Sequence, residues 1–143
     1  PLAEVRLSET ERASWKTLLA VRQEVSKALE EARASKLIGS ALEAKVLLEA
    51  PTAVAEAVKG LQDPEWFFIV SALEVRSTGA GPTGEDEQDE LAGVTVTVSR
   101  AEGGKCPRCW TWSPMIGTDA DFGEVCPRCA GVLRESGISP EKA

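Results

Sequence analysis

The sequence contains no histidine, only four cysteines, and no long apolar run among its 143 residues. Without histidine, the side chain that most often performs acid–base catalysis near neutral pH is missing. No glycine-rich phosphate loop or Gly-x-Ser-x-Gly nucleophile motif takes its place. No stretch approaches the roughly 18 apolar residues of a membrane span, and no signal-peptide pattern opens the chain. We therefore expect a cytoplasmic chain, without membrane contact and without a catalytic centre of its own.

The balance of charge is acidic, with a formal net charge of −7. Five of the negative charges lie within six residues, at Glu85, Asp86, Glu87, Asp89 and Glu90. This cluster belongs to a Gly-, Pro- and acid-rich stretch, residues 77–90, which predicts a mobile loop. Because one short loop dominates the balance, net charge does not exclude a nucleic-acid partner. The chain opens with Pro1 rather than Met, which predicts a piece of a longer polypeptide.

The secondary-structure pattern predicts an α+β fold. Ser8 and Glu11 form a capping-box pattern before a long amphipathic helix, for which Gly39 is the expected C-terminal glycine. Alternating residues at 41–50 predict a strand, and 51–61 a short helix, followed by a helical turn that begins at Asp63-Pro64. The β-forming run 67–75 predicts a second, central strand, and 91–99 a third strand, hairpinned to the second.

These elements predict the domain organisation. We expect a helix over 1–40, a small α+β domain of about three strands over 41–104, a zinc ribbon over 105–134, and a frayed tail over 135–143.

The strongest motif is a pair of Cys-Pro-Arg-Cys knuckles, Cys106 to Cys109 and Cys126 to Cys129. Two Cys-x-x-Cys pairs separated by sixteen residues are typical of a four-cysteine zinc site. Iron in a rubredoxin-like site is the main alternative, whereas disulfides and a thioredoxin-like redox pair fit this spacing poorly. A closed four-sulfur shell has no open position for substrate, so the ion is expected to be a single, structural Zn²⁺.

Basic and aromatic side chains surround the knuckles. Arg108 and Arg128 are placed to offset the net −2 charge of a zinc tetrathiolate, and both also suit contact with RNA phosphates. Trp110 and Trp112 suit stacking on unpaired bases. The alternative is that a tryptophan forms the core of the ribbon; we expect this core role for Trp110, while Trp112 stays open.

Two further arginines, Arg22 and Arg33, fall within the apolar arc of the long helix. We expect each to pair with a carboxylate on a neighbouring element, with an RNA phosphate as the alternative partner.

The order of these motifs resembles one protein family. The segments "KCPRCW" (105–110) and "CPRCAGVL" (126–133) are similar to the C-terminal zinc-binding segment of bacterial isoleucyl-tRNA synthetases. The same ribbon type ends formamidopyrimidine-type DNA glycosylases. The segments 15–48, "FIVSALEV" and "GVTVTVSRAEGGKCPRCW" resemble the synthetases only, so the likeness extends over residues 8–133. One departure is Phe122-Gly123-Glu124-Val125, which stands where family members often carry His and Pro.

The resemblance implies the C-terminal region of a class I ligase that attaches isoleucine to its tRNA with ATP. Its four zinc ligands map onto Cys106, Cys109, Cys126 and Cys129. The ATP site would lie in the catalytic domain, which this chain lacks; the expected partner is isoleucine tRNA, on its anticodon side, and the expected enzyme is a monomer. The alternatives are a zinc-dependent protein-interaction module and the ribbon of a DNA glycosylase-like protein.

Overall fold

The long amphipathic helix begins where its capping box predicts. The computed structural model describes residues 6–79, 91 and 93–142. Helix α1 spans Glu9–Ala34. The Glu11 amide donates to Ser8 Oγ at 3.2 Å, and the Ser8 amide donates to Glu11 Oε2 at 2.7 Å. Each side chain thus satisfies one of the amides that the first helical turn leaves without a partner, which confirms the predicted start.

The end of α1 differs from the prediction. Lys36, not Gly39, adopts the left-handed conformation after the helix, with φ of 60°. The Lys36 amide donates to Arg33 O and the Leu37 amide to Ala32 O, the bonds of a Schellman cap. Gly39 was therefore the wrong terminator. The chain leaves the helix early enough for Ile38, which is 2% exposed, to pack into the core.

A three-stranded sheet has β1 at its centre. Strand β1 (Ala44–Ala50) pairs in parallel with β2 (Ala72–Ser77) and antiparallel with β3 (Thr95–Arg100). Two predictions were wrong here: β2 is an edge strand, and β3 pairs with β1 rather than forming a hairpin with β2. The physical reason lies in burial, since one face of β1 is fully buried along its length whereas β2 is only half-buried.

Two short helices connect β1 to β2, namely α2 (Thr52–Lys59) and α3 (Pro64–Phe68). Pro64 occupies the first turn of α3, where its missing N–H costs no hydrogen bond. Phe67 and Phe68 therefore belong to a helix, although the run 67–75 predicted a strand through them. A continuous apolar core joins the helices to the sheet; its fully buried members include Val21, Val25, Val46, Leu48 and Val58.

The cysteine module follows β3. Strands β4 (Gly104–Lys105) and β5 (Trp112–Ser113) form a minimal antiparallel hairpin, and α4 spans Pro127–Glu135. The α+β class, the three-stranded sheet and the terminal four-cysteine ribbon are confirmed. The acidic loop 77–90 lies mostly outside the described residues. None of the helices in the described part of the chain combines the length and apolar character of a membrane span. The division into four segments stays a prediction.

Candidate metal centre and nucleic-acid interface

The first knuckle is a closed turn at the tip of the β4–β5 hairpin. The Cys106 amide donates to Thr111 O at 2.8 Å, and the Trp110 amide donates to Cys106 O at 2.8 Å. Gly103 sits at the base of the hairpin with φ of 92°, and a Cβ there would lie 2.2 Å from Ser113 O. Only glycine fits this position, so the close approach of the two strands depends on it.

The second knuckle is the start of a helix. Cys126 is the N-cap of α4, Pro127 follows in the first turn, and Cys129 lies within the helix. The Cys126 amide points at Cys106 Sγ across the site, at 3.4 Å. A backbone N–H directed at a thiolate stabilises its negative charge.

The fold brings all four cysteine sulfurs together. Their Sγ atoms all lie within 4.8 Å of one another, and Cys109 Sγ lies 3.7 Å from Cys126 Sγ. A tetrahedral zinc with Zn–S bonds of about 2.3 Å requires S···S separations of about 3.8 Å. Cys106, Cys126 and Cys129 are buried and Cys109 is half-buried. The donor set and its spacing therefore fit a closed, structural zinc site, with no coordination position for a substrate.

The surroundings of the cysteines shift the pKa values of their thiols in different directions. Burial opposes ionisation of Cys106, but the backbone amides of Cys109, Cys126 and Arg108 together lower its pKa to about 6. Burial raises the pKa of Cys129 to about 12, although Arg108 acts in the other direction. Arg108 Nη1 reaches Cys129 Sγ at 3.6 Å, so this arginine spans the two knuckles. Arg108 is thus placed to offset thiolate charge, as its position in the motif predicts.

Arg128, the matching residue of the second knuckle, points elsewhere. Its guanidinium carbon lies 4.0 Å from the centroid of the Trp66 ring, on helix α3. Both side chains line a cleft of about 470 Å³ between the α+β body and the cysteine module. The sequence pattern gave no indication of this stack, because a tryptophan in a five-residue helix carries no periodic signal.

The two module tryptophans occupy different environments. Trp112 is half-buried on the wall of the same cleft, and its backbone amide donates to Ser71 Oγ at 2.8 Å. Trp110 is 61% exposed, and Lys105 Nζ lies 5.1 Å from its ring centroid. The expectation that Trp110 forms the ribbon core was therefore wrong. The Trp110 backbone is left-handed, with φ of 66°, a conformation that bulky residues rarely adopt.

The ribbon core is built instead around Phe122. Phe122 is 5% exposed and packs with Ala130 and Leu133 of α4. Asp119 Oδ1 holds this loop by accepting the Phe122 amide at 3.0 Å, and Arg134 donates to the same carboxylate at 2.6 Å. The Arg134 hydrogen bond lowers the pKa of Asp119. The segment before Cys126 is therefore a structural support for the knuckle.

The two helix arginines do not pair as expected. Arg33 Nη1 binds Glu30 Oε1 at 2.9 Å, within its own helix and on the exposed surface. Arg22 lies over the Phe67 ring, with 5.6 Å between the guanidinium carbon and the ring centroid. The prediction of a carboxylate on a neighbouring element was wrong for Arg33, and the observed Arg22 contact is aromatic. Both lie on α1, apart from the cysteine module.

Similarity to known proteins agrees with this arrangement. Residues 103–131 match the family described as "Zinc finger found in FPG and IleRS". The chain is 43% identical to the isoleucine–tRNA ligase of Nitratidesulfovibrio vulgaris over 132 residues, which is 92% of this chain and 14% of that protein. It is 41% identical to the isoleucine–tRNA ligase of Desulfitobacterium hafniense, over 89% of this chain and 14% of that protein.

The chain is similar to one segment of isoleucine–tRNA ligases. This confirms the family resemblance that the sequence predicts. The corresponding ligase of Petrotoga mobilis is 39% identical, over 90% of this chain and 14% of that protein. The similarity extends well beyond the zinc finger, so the α+β body shares it. The chain spans about 14% of the length of the curated relatives it matches.

Proposed function

We propose that this chain is the C-terminal, tRNA-binding region of an isoleucine–tRNA ligase, which joins isoleucine to its tRNA with ATP. In this proposal the catalytic centre and the ATP site belong to the remainder of the enzyme, a cytoplasmic monomer. The chain contributes no catalytic residue. A single Zn²⁺, held by the four cysteines, stabilises the module that docks on the anticodon side of the tRNA.

The observation that carries the proposal is the conformation of Trp110. A left-handed backbone costs an L-residue about 1–2 kcal/mol. Strain of this kind persists where surrounding structure enforces it and clusters at functional positions. Here the strained residue is a 61% exposed tryptophan with the Lys105 ammonium over its ring. An exposed aromatic ring next to a cation is the combination that binds an unpaired base and its phosphate.

The other candidates take lesser roles in this proposal. Arg108 is exposed and spans the knuckles, so it can approach a phosphate while it offsets thiolate charge. Arg22 and Arg33 belong to α1, where they would reach RNA only if the tRNA also crosses that helix. Arg128 and Trp112 face the cleft, and we assign them no direct contact with RNA.

One side of α1 supports the proposed place of the chain within a larger enzyme. Trp15 is 41% exposed and Leu19, one helical turn further along, is 50% exposed. Exposed apolar residues grouped in this way are typical of a surface that packs on another domain. We propose that α1 closes the anticodon-binding region through this surface.

The test is titration of isoleucine tRNA and of a non-cognate tRNA with the full-length ligase and its Trp110→Ala variant. Weaker binding of the cognate tRNA at unchanged zinc content supports the proposal. Removal of residues 105–133 should weaken both tRNA binding and aminoacylation. Unchanged tRNA affinity and aminoacylation after that deletion would exclude it and would favour a module that binds protein.

A further inference from the structure

The cysteine module touches one short segment of the α+β body, residues 66–71, at two points. The first contact runs through Ser71, whose hydroxyl accepts the Trp112 amide at 2.8 Å. The same hydroxyl donates to the carbonyl of Leu42, just before β1. Ser71 therefore joins the edge of the ribbon to the turn that leads into the central strand, through one oxygen atom.

The Ser71 contact leads directly to the first knuckle. Trp112 pairs with Lys105 across the hairpin, and the neighbouring Thr111 carbonyl accepts the Cys106 amide at 2.8 Å. Thr111 Oγ1 also lies 2.7 Å from Cys109 Sγ. A displacement at Trp112 would therefore move the backbone that carries Trp110.

The second contact holds the other knuckle. Arg128 lies in the first turn of α4, between Cys126 and Cys129, and its guanidinium stacks on Trp66 at 4.0 Å. Stacking of a guanidinium on tryptophan is among the more favourable cation–π contacts. Two contacts at separate points fix the orientation of the module on the body, because the module could rotate about a single contact.

A strained turn places these two anchors on the same cleft. Ile69 ends α3 in the left-handed conformation, with φ of 58°, although it is β-branched. The Ile69 amide donates to Trp66 O at 3.3 Å and the Val70 amide to Glu65 O at 3.0 Å. This cap reverses the chain within a few residues, so Trp66 and Ser71 line one cleft.

We propose that Ser71 and Trp66 are positioning residues that set the orientation of the zinc module, and therefore of Trp110, on the body. This inference rests on the proposed function, because tRNA binding is its readout. The two residues act through orientation and do not touch RNA. The charged side chains that line their cleft are nearly balanced, namely Asp63, Glu65, Glu102, Lys45 and Arg128, so the cleft presents no excess of positive charge to a phosphate group.

The experiment compares tRNA binding by the full-length ligase carrying Ser71→Ala or Trp66→Ala, at several salt concentrations. We expect each variant to bind isoleucine tRNA about three- to tenfold more weakly. The slope of log affinity against log salt should stay unchanged, because no phosphate contact is lost. Zinc content should also stay unchanged. Ser71→Thr keeps the hydroxyl and Trp66→Phe keeps an aromatic face, so both should restore affinity to within about twofold.

Met115→Ala provides the matched control, because Met115 is 51% exposed on the same module and should leave tRNA binding unchanged. A salt slope reduced by about one unit would overturn the proposal, since it would identify a direct phosphate contact. Loss of zinc would also overturn it, as would wild-type affinity in both alanine variants. If Trp110→Ala still weakens binding in that last case, the proposed function stands and only the positioning role fails.

Discussion

Trp110 offers a test that separates backbone strain from recognition. Trp110→Gly and Trp110→Ala remove the same ring, but only alanine keeps a Cβ in the left-handed conformation. That conformation costs about 1–2 kcal/mol for an L-residue. The glycine variant avoids this cost, but the greater conformational freedom of its unfolded chain lowers its free energy of unfolding by about 0.4–1 kcal/mol. We therefore expect the knuckle of the glycine variant to be about 1 kcal/mol more stable than that of the alanine variant.

Zinc release measures this difference in the full-length ligase. Loss of the ion requires the knuckle to open, so an excess of a colorimetric chelator should remove zinc about fivefold faster from the alanine variant. Both variants should lose the same tRNA affinity. Stacking of a base on an aromatic side chain contributes about 1–3 kcal/mol, which corresponds to about 5- to 150-fold.

Two results would refute this reasoning. Equal rates of zinc release from the two variants would mean that the left-handed backbone at Trp110 stores no strain. Wild-type affinity for tRNA in both variants would mean that the exposed ring takes no part in recognition. The Met115→Ala variant serves as a control for general damage to the module, because its side chain is exposed beside the same hairpin.

Three further predictions concern the metal and the fold. Zinc affinity should rise with pH between 7 and 8, because the pKa of Cys126 and of Cys129 lies above its ordinary value and both must lose protons. The pKa of Cys106 is lowered to about 6, so protonation of Cys106 weakens zinc binding further only below about that pH. A zinc affinity that does not change with pH in a competition titration would contradict the assignment of Cys126 and Cys129 as ligands. Ser8→Ala should destabilise the start of α1 by about 1 kcal/mol, seen as faster amide exchange in its first turn alone. Leu48→Ala should cost about 2–5 kcal/mol in chemical denaturation, since Leu48 is fully buried, and an effect no larger than that of the exposed Met115→Ala would contradict the core assignment.

The acidic net charge limits how this chain can bind RNA. Proteins that hold RNA by phosphate contacts alone show a basic surface and a steep dependence on salt. Here Arg33 binds Glu30, Arg22 lies over the Phe67 ring, and Arg128 stacks on Trp66. Most of the arginines that the sequence offered as RNA ligands therefore already have protein partners. Under the proposed function, recognition by the cysteine module would depend on one exposed ring and a few cations, and the remainder of a full-length ligase would supply most of the affinity.

The start of α1 and the metal site could both be predicted from local sequence. A capping box involves atoms three residues apart, so Ser8 and Glu11 determine it without help from the rest of the fold. A Cys-x-x-Cys knuckle likewise specifies its own turn, and only the meeting of the two knuckles requires tertiary structure. These features are local, and the structure reproduces them.

The wrong predictions concern features that depend on contacts between residues far apart in the sequence. The apolar run through Phe67 and Phe68 is compatible with strand or helix, and the proline at position 64 and the packing of Phe68 in the core favour the helix. Sheet order also depends on which strand can be buried on one whole face, and β1 meets that condition while β2 does not. Neither Ser71 nor Trp66 carried a sequence signal, because their partners are 41 and 62 residues away.

The sequence by itself determined the α+β class, the pairing of its four cysteines in two knuckles and the resemblance to isoleucine–tRNA ligases, because those features depend on residue types at short spacing. Only the tertiary structure decided what surrounds the ligands. It buried Phe122 rather than Trp110, turned Arg128 away from the sulfurs onto Trp66, and left Trp110 exposed on a left-handed backbone. The reason is that a side chain's exposure and partner are fixed by packing between elements, which no short stretch of sequence contains.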